Sequence, residues 1–225
     1  MQKALQSFTS RFDRRRFVKM SLGVLLMGMS LSLLLEAGYG TDTSSFMLTS
    51  LSDRIHLSFG TTMVLFNLIL IIPQILLLPG TLGLGTIFNM CLIGYISDFC
   101  RMLEHRFLDP ALFTLQPSRT LIFLLGLIPF LIAVSMYMNA DMGLAPFDAA
   151  PKIVCHLTSW PFSPVRMAWD WMMIALGILC GGHLTIGTAI LAFTIGPAVT
   201  LVDRGIRALG RVLRKGKTAM DVGNP

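Results

Sequence analysis

The sequence predicts an all-α polytopic membrane protein with six transmembrane helices, arranged as two inverted three-helix repeats that each contain a short broken or re-entrant element. Three observations predict this fold: the composition, the placement of the basic residues, and a repeat of features along the chain. Of the 225 residues, 54% are hydrophobic and only 13% are charged, whereas a soluble domain carries about a quarter charged residues. So few charges cannot keep the surface of a soluble protein hydrated.

The basic residues cluster at the two ends of the chain. Arg14, Arg15 and Arg16 precede the first apolar run, and Arg211 and Arg214 follow the last one. The positive-inside rule therefore predicts that both terminal segments, 1–16 and 208–225, are cytoplasmic. Because the net charge of +6 comes from these ends, we expect no nucleic-acid partner.

Six segments are apolar over about the 20 residues that a spanning helix needs. They are 17–36, 60–79, 84–103, 120–139, 164–181 and 185–204. The stretches between them at 37–59 and 140–163 are too polar to span. The first repeat is 17–103, the second is 120–207, and 104–119 forms an extracytoplasmic loop.

Matching residues recur at a nearly constant separation, which indicates an internal duplication. An offset of 103 pairs Gly40 with Gly143 and Asn67 with Asp170. An offset of 102 pairs the dipeptide at 85–86 with the identical Gly-Thr at 187–188. Since each half has three spans, the second copy enters the membrane from the opposite side, as in many secondary transporters.

Each half contains a glycine that leads into an apolar segment of about ten residues. In the first half, Asp42, Thr43 and Ser44 are candidate N-caps. In the second half, Pro146 disfavours helix before it, and Pro151 is placed to begin a short helix. This length suits a half-helix that re-enters the membrane, and a surface loop is the alternative.

The charged residues within the predicted spans are the candidates for a functional site. Arg166 and Asp170 are four residues apart on one helix face and can pair. An intramembrane charge is costly and indicates function, but Trp169 and Trp171 also suit a helix end at the membrane interface. The full candidate set for a solute or ion site is Gly143, Pro146, Phe147, Asp148, Arg166, Asp170, Asn67, Asp42 and Thr43. Asp170 is the candidate for binding a proton or cation.

A second set of residues is expected to serve helix packing, because small side chains let membrane helices approach closely. This set is Gly85, Thr86, Gly94, Gly187, Thr188, Gly196 and Pro197. The sequence lacks the zinc-protease, nucleophile-elbow and phosphate-loop motifs, and its four cysteines have no paired spacing. We therefore expect a protein that is not an enzyme and that carries no cofactor or metal.

The stretches MGLAPFDAAPKIV and LTIGTAILAFTIGPAVTLVD resemble the YczE/YyaS/YitT family of bacterial integral membrane proteins. The residues that carry the resemblance are Gly143, Pro146, Phe147 and Asp148, then Gly187, Thr188, Ile195, Gly196 and Pro197. The resemblance extends from the first span to about Arg207, although the acid after the second motif falls late, at Asp203. It implies an integral membrane protein and supplies no catalytic residue.

Two functions are compatible with these features. The first is a transporter or channel for a small solute, with the two short elements meeting near the centre of the helix bundle. The second is a non-transporting accessory protein that stabilises or regulates another membrane assembly. The expected partners are the lipid bilayer, an unidentified small solute, and either a second copy or another membrane protein.

Overall fold

The computed structural model describes residues 13–185, 187–189 and 191–192, and this part of the chain is helical with short links. The helices are α1 (Arg14–Ala37), α2 (Thr43–Ile55), α3 (Phe59–Leu77), α4 (Leu84–Phe107), α5 (Ala111–Thr114), α6 (Gln116–Met138), α7 (Pro146–Thr158) and α8 (Phe162–Leu179). A 3-10 turn, Pro79–Thr81, joins α3 to α4. Residues 187–189 and 191–192 are also helical.

Three of the described helices, α1, α3 and α6, are long and apolar enough to cross a membrane. Helices α4 and α8 coincide with predicted spans but carry charges, among them Arg101 in α4 and Asp170 in α8. These charges lower the mean hydropathy by which a membrane-spanning helix is recognised. Most of the predicted sixth segment, 185–204, lies outside the described residues.

The short helices α2 and α7 have 13 residues each and correspond to each other at an offset of 103. Asp42 caps α2 by accepting a hydrogen bond from the Ser45 backbone N–H at 3.2 Å. Helix α7 begins at Pro146, five residues before the predicted start, because a proline at the first helical position needs no N–H partner. Both helices end at a residue in the left-handed conformation, His56 with φ 57° and Ser159 with φ 58°.

Helices α1 and α6 pack along each other in antiparallel orientation. A Cβ on Gly23 would lie 3.2 Å from the Ala133 carbonyl oxygen, and a Cβ on Gly126 would lie 3.1 Å from the Ser30 carbonyl oxygen. Gly126 and Ala133 are each 103 residues after Gly23 and Ser30. The same backbone contact therefore occurs twice, with the roles of the two helices exchanged.

The glycine turns of the two halves exchange contacts in the same way. The Gly85 N–H donates to the Met142 carbonyl at 2.8 Å, and Gly143, with φ +112°, lies against the turn before α4. In the other half, Gly40, with φ +131°, lies so close to Thr188 that a Cβ would reach its backbone nitrogen. Each half thus provides the surface on which the first loop of the other half packs.

The short helices also pack on the opposite half of the chain. Helix α2 contacts α8, and helix α7 contacts α3. Gly177 in α8 leaves room for Phe46 and Met47 of α2. The Gln74 side chain of α3 donates to the Leu144 carbonyl just before α7, at 3.3 Å. Each half thus supplies a long helix on which the short helix of the other half packs.

Helix α4 is parallel to α1 and crosses α3. Phe88 contacts Phe17 with ring centroids 5.6 Å apart, and Arg101 pairs with Glu36 near the other end, at 2.7 Å. At the crossing with α3, a Cβ on Gly94 would lie 2.6 Å from the Gly60 Cα, so the two backbones touch.

Candidate functional site

Three charged side chains form a network between α7 and α8. Arg166 in the second turn of α8 donates from Nε to Asp170 Oδ2 at 3.1 Å and from Nη1 to Asp148 Oδ1 at 3.0 Å. The pairing of Arg166 with Asp170 follows from their spacing on one helix. Asp148 is added by the packing of α7 on α8, so one guanidinium bridges two carboxylates from two helices.

Thr43 joins this network from the first half of the chain. Its hydroxyl donates to Asp170 Oδ1 at 2.8 Å. Thr43 is the first residue of α2, and Asp148 is the third residue of α7. The first turns of both short helices, one from each half, therefore contact the same Arg166–Asp170 pair.

Each of these two helix starts carries its own acid. Asp148 lies in the first turn of α7, and Asp42 is the N-cap of α2. A carboxylate at a helix N-terminus is stabilised by the free backbone N–H groups and by the helix dipole. Asp42 Oδ2 accepts hydrogen bonds from the Ser45 N–H and the Ser44 hydroxyl, while its Oδ1 is buried with no hydrogen-bond partner among the described residues.

The network is partly buried and lies beside aromatic rings. The exposed side-chain fractions are 32% for Arg166, 29% for Asp148 and 16% for Asp170. The Arg166 guanidinium lies 5.7 Å from the centroid of the Phe147 ring. Phe147 in turn meets Trp169 edge-to-face, with centroids 5.8 Å apart. The rings shield one side of the network from solvent.

Asp170 also borders a small, half-open depression on the side of α8 that faces the helical residues 191–192. Its other lining residues are Met167, Trp171, Ile174 and Ala192. Among the described residues that line it, Asp170 is the one that ionises. The depression is therefore bordered by a carboxylate that is itself held in place by Thr43 and Arg166.

Two predicted residues position α7 and do not join the network. Pro146 is buried and forms the first residue of α7. Gly143 accepts a hydrogen bond at its carbonyl from the Tyr137 hydroxyl, at 3.1 Å. This contact fixes the loop before α7 against α6, and Tyr137 is a supporting residue that the sequence did not single out.

Asn67, the counterpart of Asp170 at the offset of 103, has no hydrogen bond to these charged residues. It is 2% exposed and donates to the Met63 carbonyl within α3 at 2.9 Å. At the offset of 103, Met63 corresponds to Arg166 and Ser45 corresponds to Asp148. The three charged residues of the network therefore come from the second half, while the first half has neutral residues at the corresponding positions.

The predicted packing residues that the structure describes lie at the contacts between the halves or between helices. Thr86 Oγ1 accepts from the Gly83 N–H at 3.1 Å, and Thr188 Oγ1 accepts from the Thr41 N–H at 3.2 Å. The glycines are packed closely against backbone atoms: Gly94 against Gly60, Gly85 against Met142 and Gly187 against Tyr39. Gly196 and Pro197 lie outside the described residues.

Two arginines, Arg119 and Arg16, stabilise the ends of α1 and α6, and the sequence did not predict these contacts. Arg119 donates from Nε and Nη2 to the Ala37 carbonyl at the end of α1, at 3.1 and 2.9 Å. Its counterpart at the offset of 103 is Arg16, which approaches Asp141 just after α6 at 3.8 Å. The repeat offset, applied to charged residues as well as glycines, would have identified both.

Within the part of the chain that the structure covers, no group of three or more His, Cys, Asp or Glu side chains is placed to hold a metal ion. The four cysteines, Cys91, Cys100, Cys155 and Cys180, are free thiols.

Comparison with known proteins connects the chain to bacterial relatives. The profile of a family of unknown function (DUF6198) matches residues 14–204. The uncharacterized protein YyaS of Bacillus subtilis is 25% identical over 178 residues, which cover 77% of this chain and 85% of YyaS. An uncharacterized protein of Haemophilus influenzae is 28% identical over 120 residues, about half of each chain. No solved structure matches significantly.

Proposed function

This chain belongs to the DUF6198 family, and on that premise we propose that it is a non-catalytic protein of the bacterial inner membrane that transports a small solute. The similarity to YyaS confirms the resemblance found in the sequence, and the apolar helices fit a lipid bilayer. The solute crosses at the site formed by the first turns of α2 and α7 together with Arg166 and Asp170.

One observation carries the proposal. Thr43 from the first half and Asp148 from the second half bond to the same ion pair on α8. Many secondary transporters bind their substrates where the N-termini of short or broken helices from two repeats meet. A site that links both halves changes its geometry whenever the halves move relative to each other, which is what alternating access requires.

The proposed architecture has six spans in two inverted repeats, with both termini in the cytoplasm. The antiparallel packing of α1 on α6 supports an inverted relation between the repeats. These are the first helices of the two repeats, and they would be parallel if both repeats had the same orientation. The equal lengths of α2 and α7 and their matching left-handed ends also support it. In this architecture α2 and α7 are re-entrant helices on opposite sides of the membrane.

Cysteine labelling tests the architecture. Leu57 and Trp160 are repeat counterparts in the links after α2 and α7, and both are exposed, at 43% and 65%. In a background without native cysteines, a membrane-impermeant maleimide should label Leu57→Cys in intact cells and Trp160→Cys only after permeabilisation. Labelling of both from the same side would contradict the inverted repeats.

Transport is tested by comparing cells that overproduce the wild type with cells that overproduce Asp170→Asn. Small molecules inside and outside the cells are measured by mass spectrometry, with Asp53→Asn, an exposed acid on α2, as the matched control. We expect at least one solute whose distribution changes with the wild type and with the control but not with Asp170→Asn. If every detected solute behaves identically in the three strains, the accessory role is the better explanation.

A further inference from the structure

The charge of the site sets the class of solute that it accepts. Asp148 and Asp170 contribute −2 and Arg166 contributes +1. Asp42 contributes a further −1, and the N-termini of α2 and α7 contribute about +0.5 each. The described groups of this region therefore sum to about −1, and a bound cation would neutralise that charge.

The single guanidinium of the network is already engaged. Its Nε and Nη1 donate to Asp170 and Asp148, and its face lies near the Phe147 ring. An anionic solute would bring a further negative charge beside two carboxylates that share this one guanidinium, and like charges close together repel. A cationic solute is attracted by the same two carboxylates.

The walls of the depression beside Asp170 favour an organic cation over an inorganic one. Asp170 Oδ1 and Oδ2 each accept one hydrogen bond, and an ionised carboxylate has about four acceptor sites. The neighbouring side chains are Met167, Trp171 and Ile174. An inorganic cation would require several oxygen ligands, whereas aromatic and thioether groups suit an ammonium with an alkyl body.

We infer that the transported solute is a small primary amine in its protonated form, with the ammonium group bound to Asp170 and a short alkyl body against Met167 and Trp171. This inference rests on the proposed function and adds the class of the solute to it. The relevant chemistry is a charge-assisted hydrogen bond from the ammonium to the free acceptor sites of Asp170.

The test compares three probes of the same size that differ in charge: n-butylammonium, n-butanol and n-butyrate. Two of the three tryptophans, Trp169 and Trp171, flank Asp170, so Trp160→Phe removes the remaining fluorophore. In purified full-length protein at constant ionic strength, n-butylammonium should change the tryptophan fluorescence saturably, and the other two probes should not. Asp170→Asn should weaken this binding about tenfold or more, while Asp53→Asn leaves it unchanged.

A second variant keeps the test decisive if Asp170→Asn does not fold. Met167 is 49% exposed at the depression, so Met167→Lys places a competing cation there without burying it. Met167→Lys should abolish butylammonium binding, whereas Met167→Gln, which changes the same side chain without adding a charge, should weaken it only in part. Tighter binding of n-butyrate, equal binding of n-butanol, or full binding by Met167→Lys would each overturn the cationic class.

Flux measurements separate this inference from the proposed function. Proteoliposomes that contain the protein should exchange labelled n-butylammonium across the membrane. Binding of n-butylammonium without exchange would refute transport and leave the cationic site standing. Exchange of n-butyrate in place of n-butylammonium would refute the cationic class and leave transport standing.

Discussion

Replacing Arg166 by glutamine should destabilise the protein through the carboxylates that remain. In the wild type, Arg166 donates to Asp148 and Asp170 from two different nitrogens. Glutamine removes the positive charge, and both acids then lie close together without a cation between them. Like charges in one site repel, so one of the two must take up a proton or turn towards solvent.

The exposure of the three side chains sets the size of the effect. Removing one partner of a fully buried ion pair costs about 3–5 kcal/mol. Here the side chains are between 16% and 32% exposed, so water compensates part of the loss, and we expect about 1–3 kcal/mol. For a chain of this size, 1 kcal/mol lowers Tm by about 2–4 °C.

The assay is thermal unfolding of the detergent-purified variants. Arg16→Gln is the matched control, because Arg16 is 3.8 Å from Asp141 with both side chains at least half exposed, and exposed ion pairs contribute little. The double variant Arg166→Gln/Asp170→Asn should recover part of the lost stability, since it removes one of the uncompensated acids. A Tm for Arg166→Gln no lower than that of Arg16→Gln would refute the reasoning.

Two further predictions concern contacts that position the helices. Gly94→Ala should lower Tm by several degrees, because the new methyl group would meet the Gly60 Cα at 2.6 Å and overpacking costs about 1–3 kcal/mol. Gly80→Ala is its control, as nothing lies within 4 Å of that position, and equal Tm values would contradict the prediction. Arg119→Gln should lower Tm by removing both guanidinium hydrogen bonds to the Ala37 carbonyl, and an unchanged Tm would show that solvent replaces them.

The positions of the helices could be predicted from the sequence because they depend on local composition. The segment predicted at 17–36 is Arg14–Ala37 in the structure, and the one predicted at 60–79 is Phe59–Leu77. Their ends depend on capping and tertiary contacts, which are weaker signals. Helix α4 continues to Phe107, beyond the predicted 103, and the Glu104 side chain there accepts a hydrogen bond from Ser32 of α1.

Only those contacts of the candidate site that join residues close in sequence could be predicted. Arg166 and Asp170 are four residues apart, so a helix is enough to pair them. Thr43 is 127 residues from Asp170, and their contact depends on the packing of α2 against α8, which a helix pattern cannot supply. That Asp42, Thr43 and Asp148 belong to one functional site stays a prediction.

The offset of 103 found in the sequence coincides with close backbone contacts and does not coincide with the side-chain contacts of the candidate site. Glycines kept their roles at the offset of 103, as Gly23 and Gly126 do, because a close backbone approach leaves no alternative residue. Asn67 was predicted to share the site with its counterpart Asp170, yet it bonds within its own helix. Side chains at equivalent positions can diverge once the helix packing is fixed.

The exchange of loops between the halves also constrains the order of events during synthesis. The Gly85 N–H donates to the Met142 carbonyl, and Met142 leaves the ribosome later than Gly85. The loop at Gly40 and Thr41 reaches its partner Thr188 only when nearly the whole chain has been made. The first half therefore inserts with incomplete packing, and a chain truncated after α6 should be a substrate for quality-control proteases.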